Sequence, residues 1–422
     1  MRTLTGAQLA AYGALGLPLA MAALPLYVHL PKLYGGELGM PLALVGAILL
    51  ATRLADAVSD PVLGWLSDRW PRRERFTLAA LPLLAAGMLA LFHPPADAGA
   101  AWLAGALVVT CLGFSMATIA YQAWGAQLSD DAHERTRIAG AREIFTLAGV
   151  VCAAALPAAF GGEGGEGLAR ASWVFVALLA SGAVATLGFA PRPPWRAPAT
   201  TGLIESLAAP LANREFRRLL AAFVLSGIAA AIPSTLVLFF VDDVLQAGSL
   251  AWLFLVIYFL AGAAGIPVWV RLAGRLGKRR AWMLGMGLAV AAFAWAWSLG
   301  PGDTPAFAAI CLLSGFALGA DLALPPAILA DVIDGDRRDR REAAAGSYFG
   351  LWALVAKANL ALAAGLALPA LDALGYVPGD PGGARSLALL YALLPCAFKL
   401  GAVAVLWWLP APRPATVPGG AT

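Results

Sequence analysis

Charge is what this chain has least of. Only 13% of its 422 residues are Asp, Glu, Lys or Arg, about half of the roughly 25% usual in soluble domains. A chain this poor in charge and 60% hydrophobic cannot cover itself with polar surface in water, which excludes a soluble enzyme and a nucleic-acid-binding domain. Histidine is scarcer still: His29, His93 and His133 are the three, without metal-ligand spacing, and His29 and His93 fall near span ends as ordinary interface residues. The four cysteines, Cys111, Cys152, Cys311 and Cys396, lie far apart in apolar segments. They exclude a structural zinc site and a disulfide framework, and read as inert packing residues. The glycine-rich stretch Gly161–Gly167 follows no strand and leads to no lysine, so it is not a phosphate cradle. With no nucleophile motif either, the expectation is a protein that is not an enzyme, has no resident cofactor and binds no nucleic acid.

What the chain has instead is long apolar runs. Twelve segments read as membrane spans, at about 8–30, 41–67, 76–92, 98–128, 138–160, 171–190, 218–241, 250–272, 281–299, 305–333, 343–371 and 386–409. A span needs about 20 residues, and the longer ones allow tilt or extension beyond the bilayer. The first follows Met1-Arg2 but is too long for a signal peptide and lacks a small-residue cleavage site, so it reads as a retained span.

Alternate loops differ sharply in basic residues. One set holds Arg69, Arg72, Arg73 and Arg75; Arg135 and Arg137; Arg192, Arg196, Arg214, Arg217 and Arg218; Arg271, Arg275, Lys278, Arg279 and Arg280; and Arg337, Arg338, Arg340 and Arg341. The other set holds only Lys32, Arg170 and Arg385. The positive-inside rule puts the rich set and both termini in the cytoplasm. The longest cytoplasmic connection begins at Pro191-Arg192-Pro193-Pro194. It divides the chain into a six-helix half at 1–190, a linker at 191–217 with room for a short surface helix near Leu203–Leu211, and a second six-helix half at 218–422 ending in a short tail. A basic loop follows the second span of each half, and the first of these carries Asp68 beside Arg69, which argues for a structured cytoplasmic gate built from Asp68, Arg69 and Arg73, with Asp331 from the tenth span. Paired halves with these loops resemble the major facilitator superfamily: an all-α membrane protein of 12 helices that works by alternating access.

Within the apolar runs a few charges stand out. Asp56 and Asp60 sit one helical turn apart in the second span, in Arg53-Leu-Ala-Asp-Ala-Val-Ser-Asp-Pro-Val-Leu-Gly-Trp. They lie roughly 18 and 12 Å along the helix from Asp68. A carboxylate in hydrocarbon costs roughly 2.5–3.5 kcal/mol on insertion scales, and two on one helix face repel. The pair needs a positive partner: a proton, a hard cation such as sodium, or an arginine such as Arg53. Pro61 removes a backbone donor next to Asp60 and frees a carbonyl. Arg142 near the start of the fifth span reads either as an interface residue or as a fork pointing into the cavity. Lys357 lies near mid-membrane, too deep to reach the interface. Asp321 is a functional acid by default and a candidate partner for Lys357, or else part of a helix–helix salt bridge in the second half. Lys399 reads as a snorkelling or packing residue. Thr118, Tyr121 and Trp124 on the fourth span are candidates for cavity lining.

These residues resemble the glycoside–pentoside–hexuronide:cation symporters, the melibiose-permease-like branch of the superfamily. The Arg53–Trp65 stretch looks like that family's helix 2 signature, whose two aspartates contribute to the coupling-cation site. Glu134-Arg-Thr-Arg-Ile-Ala-Gly-Ala-Arg142 resembles its helix 4–5 loop, whose last arginine is tied to the sugar site. Pro326-Ala-Ile-Leu-Ala-Asp-Val-Ile-Asp-Gly-Asp336 and the stretch from Arg341 to Lys357 resemble its helix 10–11 segment, where the lysine lies close to both sites. Two departures count. The stretch matching a helix 1 acid used for galactosides, Tyr12–Ala20, has no charge, and a helix 4 acid of the family falls at about Thr118.

The resulting expectation is a monomeric, multi-pass inner-membrane carrier that couples sodium or proton entry to movement of a sugar- or glycoside-like solute. Asp56 and Asp60 would bind the cation. Arg142, Lys357, Asp321, Thr118, Tyr121 and Trp124 would shape the cavity. A carrier of a lipid-like or other less polar solute with the same cation site is the rival within transport. A non-transporting membrane scaffold or sensor is the rival from another class.

Overall fold

The structure, a computed structural model, describes residues 3–24, 26, 29–30, 33–70, 72–160, 165–192, 202–340, 345–376 and 383–408. Among these residues it is helical throughout, with no strand. The tail after 408, including Arg413, and the loop holding Arg341 lie outside them.

Twelve spans follow in chain order. The first, α1, is Gly6–Gly13 continued by Gly16–Leu24, with a π-helical turn at Leu33–Glu37. Its start is fixed by a capping box: the Thr5 hydroxyl accepts from the Gln8 amide at 3.3 Å and the Gln8 side chain accepts from the Thr5 amide at 3.0 Å. Then come α2 (Leu42–Arg69), α3 (Arg73–Phe92), α4 (Ala100–Gln127), α5 (Ala132–Ala159) and α6 (Gly165–Phe189). The expected surface helix forms at Leu203–Ala212. After it come α7 (Arg214–Phe239), α8 (Ala251–Leu276), α9 (Lys278–Ala296), α10 (Thr304–Arg340) and α11 (Ala345–Ala373). The last span, α12, runs from Ala384–Ala388 through a π-helical turn at Leu389–Leu393 into Leu394–Trp407. Seven of these helices are long and apolar enough to cross a membrane on composition alone. Those that are not include α2 and α5, which carry the charges that matter below.

One hydrophobic cluster draws only on residues between Leu4 and Ala190, and another only on residues between Ile228 and Ala392. Two further clusters mix the halves. Leu63, Ile119 and Ala123 join side chains of α7 to α12, and Leu147 of α5 joins Ile266, Val270 and Ala323. Large apolar residues such as Val58, Val184 and Trp407 are exposed, as lipid-facing side chains are.

The tightest seam between the halves is α2 against α11, and glycine makes it possible. Small residues four apart let two helix backbones approach closely. Gly346 and Gly350 occupy one face of α11. A β-carbon on Gly64 would strike the Gly346 carbonyl, and one on Gly350 would lie 2.6 Å from the Asp60 carbonyl. The crossing is therefore set by backbone against backbone. Gly64→Val is expected to destabilise this closed seam by about 1–3 kcal/mol, the usual cost of overpacking; a lowered thermal unfolding midpoint of the purified protein, against an exposed control such as Gly46→Ala, checks it.

Candidate functional site

The seam fixes the register of what lies above it. From Gly350, α11 climbs seven residues to Lys357 while the antiparallel α2 steps back from Asp60 to Asp56. Helical side chains point toward the helix N-terminus, so the Lys357 side chain leans down between the two acids. Its ammonium lies 2.5 Å from Asp56 Oδ2, 2.9 Å from Asp60 Oδ1 and 2.9 Å from Ser115 Oγ. Three donors meet three acceptors. Ser115, on α4, also donates to Asp56 Oδ1 at 2.7 Å. Asp56 and Asp60 are only 8% and 0% exposed, so the pair is out of water and depends on this lysine from the opposite half.

One oxygen is left over. Asp60 Oδ2 lies 2.8 Å from the ammonium but off hydrogen-bonding geometry, and it has no hydrogen-bond partner. Thr118 Oγ1 is buried without a partner as well. Because α2 and α4 run in the same direction, Thr118, three residues past Ser115, stands near the level of Asp60, four residues past Asp56. Ion-pair oxygens plus hydroxyls form a hard, all-oxygen donor set of the kind that monovalent cations take. Among the described residues there is no group of three or more His, Cys, Asp or Glu arranged for a metal ion.

The other candidates fall elsewhere. Asp321 does not reach Lys357, as the sequence suggested it could, because that lysine is committed to α2. Asp321 accepts instead from Lys399 of α12, from Trp282 Nε1 at 2.8 Å and from Ser226 Oγ at 3.2 Å. Lys399 also donates to Ser226 at 2.8 Å and is only 5% exposed. It is thus no snorkelling residue but half of a buried ion pair inside the second half. This pair borders a narrow pocket that includes Tyr258, Phe293, Ser314 and Cys396 in its lining. Arg142 is buried and pairs with its neighbour Glu143, with Nε 2.9 Å from Glu143 Oε1. Tyr121 and Trp124 are each 1% exposed and packed with Tyr12. Tyr12 and Tyr121 hydroxyls each donate to the other's backbone carbonyl, and Trp124 Nε1 donates to the Pro191 carbonyl at 3.1 Å. The tyrosine hydroxyls are spent on packing α1 against α4 and the Trp124 indole on the chain just after α6, not on lining open space.

At the cytoplasmic end Asp68 caps the start of α11. Its Oδ1 accepts from the Gly346 amide at 2.7 Å, and its Oδ2 accepts from the Ser347 amide at 2.7 Å and the Ser347 hydroxyl at 3.0 Å. A carboxylate at a helix N-terminus is favoured by the unpaired amides and the helix dipole. Arg73 holds the same carboxylate and donates to Ser67 at 2.9 Å and Gln127 at 3.2 Å. Arg69 instead lies over the Trp65 ring, 4.3 Å from its centre. Asp331 of α10 takes Arg135 Nε at 2.7 Å from the first half and Lys278 at 2.6 Å from its own.

Ser115, Glu143, Ser226, Trp282 and Lys278 were not singled out from sequence. Ser115 had a readable signal, a hydroxyl in an apolar span one turn from Thr118. Ser226, Trp282 and Lys278 acquire meaning only from partners far away in the chain, and Glu143 from its neighbour Arg142. A double-mutant cycle should resolve the central tie. Lys357→Met alone strands two buried carboxylates and should cost about 3–5 kcal/mol. Lys357→Met with Asp60→Asn should cost clearly less than the two single changes summed, as read from chemical denaturation.

Residues 9–413 match a family model described as MFS/sugar transport protein. A Bacillus subtilis protein named an uncharacterized symporter, YjmB, is 22% identical over 87% of this chain and 83% of its own. A Synechocystis protein of the same designation, sll1374, is 23% identical over 96% of this chain and 94% of its own. The crystal structure of the Escherichia coli fucose:proton symporter FucP superposes with a TM-score of 0.72 over 96% of this chain and 98% of that one, at 15% identity. At that identity the likeness is one of fold.

Proposed function

The chain belongs to the MFS/sugar transport protein family, and on that premise we propose that it is a cation-coupled symporter of the inner membrane, carrying an organic solute by alternating access. It is a multi-pass transporter of the sugar type, not an enzyme. The coupling to sodium or to protons is the proposal. One observation carries it: two buried carboxylates of α2 hold a positive charge that arrives on a lysine from the other half.

The ammonium stands where a coupling cation would stand. A sodium ion could take Asp56, Asp60 and Ser115, with the unpartnered Asp60 Oδ2 and Thr118 Oγ1 completing its shell. A proton would serve by neutralising one acid of the pair. Either arrival removes the attraction that holds Lys357, and with it the tie between α2 and α11. The halves then separate at their cytoplasmic seam, where Asp68, Arg73, Arg135 and Asp331 act as the gate with Arg69 beside it. The cation leaves inward, and Lys357 returns to the acids.

The solute is sugar- or glycoside-like in this reading. A less polar, lipid-like solute is the second reading, favoured by the uncharged Tyr12–Ala20 stretch and by the engagement of Asp321 with Lys399, which leaves few groups for sugar hydroxyls. Arg142, Tyr121 and Trp124 act here by shaping the first half behind the cavity.

The test is thermal stability of the purified protein against sodium chloride, with choline chloride as control, and against pH. Wild type should be stabilised by sodium or by acid, by about 2.7 kcal/mol at a hundredfold excess over the dissociation constant. Asp56→Asn and Asp60→Asn should abolish that response. Lys357→Gln, which removes the internal competitor, should bind the cation more tightly. A wild type whose stability follows neither sodium nor pH differently from the aspartate variants refutes the coupling site.

A further inference from the structure

Three elements meet at the cytoplasmic edge of the second half, and hydrogen bonds fix how they meet. Arg217 of α7 donates to the Leu211 and Ala212 carbonyls, at 2.8 and 3.1 Å, and so closes the C-terminal end of the surface helix. Its neighbour Arg218 donates to the Trp408 carbonyl at 3.3 Å and ties the same turn to the end of α12. Arg214, Arg217 and Arg218 are spaced three and four apart, so they share one face of the first turn of α7. That face lies between the surface helix on one side and the last turn of α12 on the other.

The charges on this face are unspent. Arg214 and Arg217 are exposed, and none of the three arginines reaches a carboxylate among the described residues. Arg73, Arg135, Arg137 and Lys278, also cytoplasmic, each hold an acid. The two acids nearest in sequence, Glu205 and Glu215, leave the patch positive.

Its borders are apolar. Ile204, 85% exposed, lines up with Ala208 and Leu211 at i, i+4 and i+7 in one outward stripe of the surface helix. The other face, with Ser206 and Pro210, is buried where the helix packs against α2, α7 and α11. Trp407 and Trp408 are exposed at the end of α12, and tryptophans ending a span mark the headgroup level of a bilayer. The Arg218 bond sets the first turn of α7 at that level, and the Arg217 bonds set the end of the surface helix there too. Guanidinium forks at headgroup depth suit a phosphate, and the stripe and the indoles suit acyl chains.

We propose that this trough binds an anionic phospholipid of the cytoplasmic leaflet, and that the surface helix lies in the plane of the interface with Ile204 and Leu211 among the acyl chains. The site lies outside the transport path and does not depend on the coupling ion. Its effect reaches the seam between the halves. Asn213, which caps α7, donates through Nδ2 to the Tyr348 hydroxyl at 3.1 Å, and that hydroxyl donates to Asp336 of α10 at 3.0 Å. Tyr348 is in the first turn of α11, next to the Ser347 amide that Asp68 accepts. A lipid that seats the surface helix therefore steadies the cytoplasmic end of α11 in the closed arrangement.

The experiment measures binding of dioleoylphosphatidylglycerol to the purified full-length protein by native mass spectrometry, with dioleoylphosphatidylcholine as the neutral control, and the thermal unfolding midpoint with each lipid. Phosphatidylglycerol should bind more tightly than phosphatidylcholine and raise the midpoint. Arg214→Gln should weaken that binding roughly fivefold, the factor for one arginine at a lipid surface. Arg214 has no hydrogen bond or ion pair among the described residues, so the variant should keep the wild-type midpoint in phosphatidylcholine. Ile204→Ser with Leu211→Ser should weaken binding with every arginine in place. Arg271→Gln, at an exposed arginine of the cytoplasmic end of α8, should leave it unchanged. Two lipids that bind alike, or an Arg271→Gln loss equal to that of Arg214→Gln, overturn the site. A serine pair that binds as well as wild type overturns it as well, because it reduces the trough to an arginine patch that holds phosphate without acyl chains.

Discussion

The Lys357 ammonium sits among Asp56, Asp60 and Ser115, and the lysine belongs to one half of the molecule while its acceptors belong to the other. Two carboxylates on adjacent turns of a membrane helix repel each other and are costly to bury. Held by one ammonium with good geometry, they become an ion-paired contact between the halves. The same chemistry makes the contact conditional. In the proposed coupling, a cation that satisfies the acids competes with Lys357, so the bond joining the halves is the one that the coupling ion replaces.

The helices that carry this tie also carry the cytoplasmic contact of Asp68. Asp68 lies three turns beyond Asp56 on α2, and the amides it caps open α11, eleven residues before Lys357. Between these two polar contacts the backbones touch at Gly64, Gly346 and Gly350. Central site and cytoplasmic closure therefore share one rigid crossing. Moving α11 away from α2 strains both at once, and in the proposed cycle this carries occupancy at mid-membrane to the cytoplasmic contacts without a separate relay.

Polar contacts inside each half have a different character. Asp321 with Lys399, Ser226 and Trp282 gathers α7, α9, α10 and α12, and Tyr12 with Tyr121 locks α1 to α4. These groups are saturated by partners of their own half, so nothing that crosses the membrane needs to displace them. They stiffen each bundle. The difference between the two kinds of contact lies in who supplies the partner, not in how deeply the charges are buried.

The helix 2 acids, the basic cytoplasmic loops and the twelve spans were legible because each is a local signal: a charge in an apolar run, a count of arginines, a length against a bilayer thickness. Lys357 was legible as a charge too deep to snorkel, and the family resemblance set it close to the site of the two aspartates; that it pairs with both directly was not legible. Asp321 was open between Lys357 and a helix–helix salt bridge within the second half, and Lys399 between snorkelling and packing, because helix rotation decides which of two buried lysines an acid meets and sequence spacing fixes only depth. Tyr121 and Trp124 sat at plausible lining positions but turn inward, since α1 presses on that face of α4. Sequence alone determined that this chain crosses the membrane repeatedly with its basic loops on one side, and that α2 carries charges needing an opposite partner. Only the tertiary structure decided that the partner comes from α11, because a close glycine crossing and the downward lean of a helical lysine are needed to bring residues 297 and 301 positions apart to a single point.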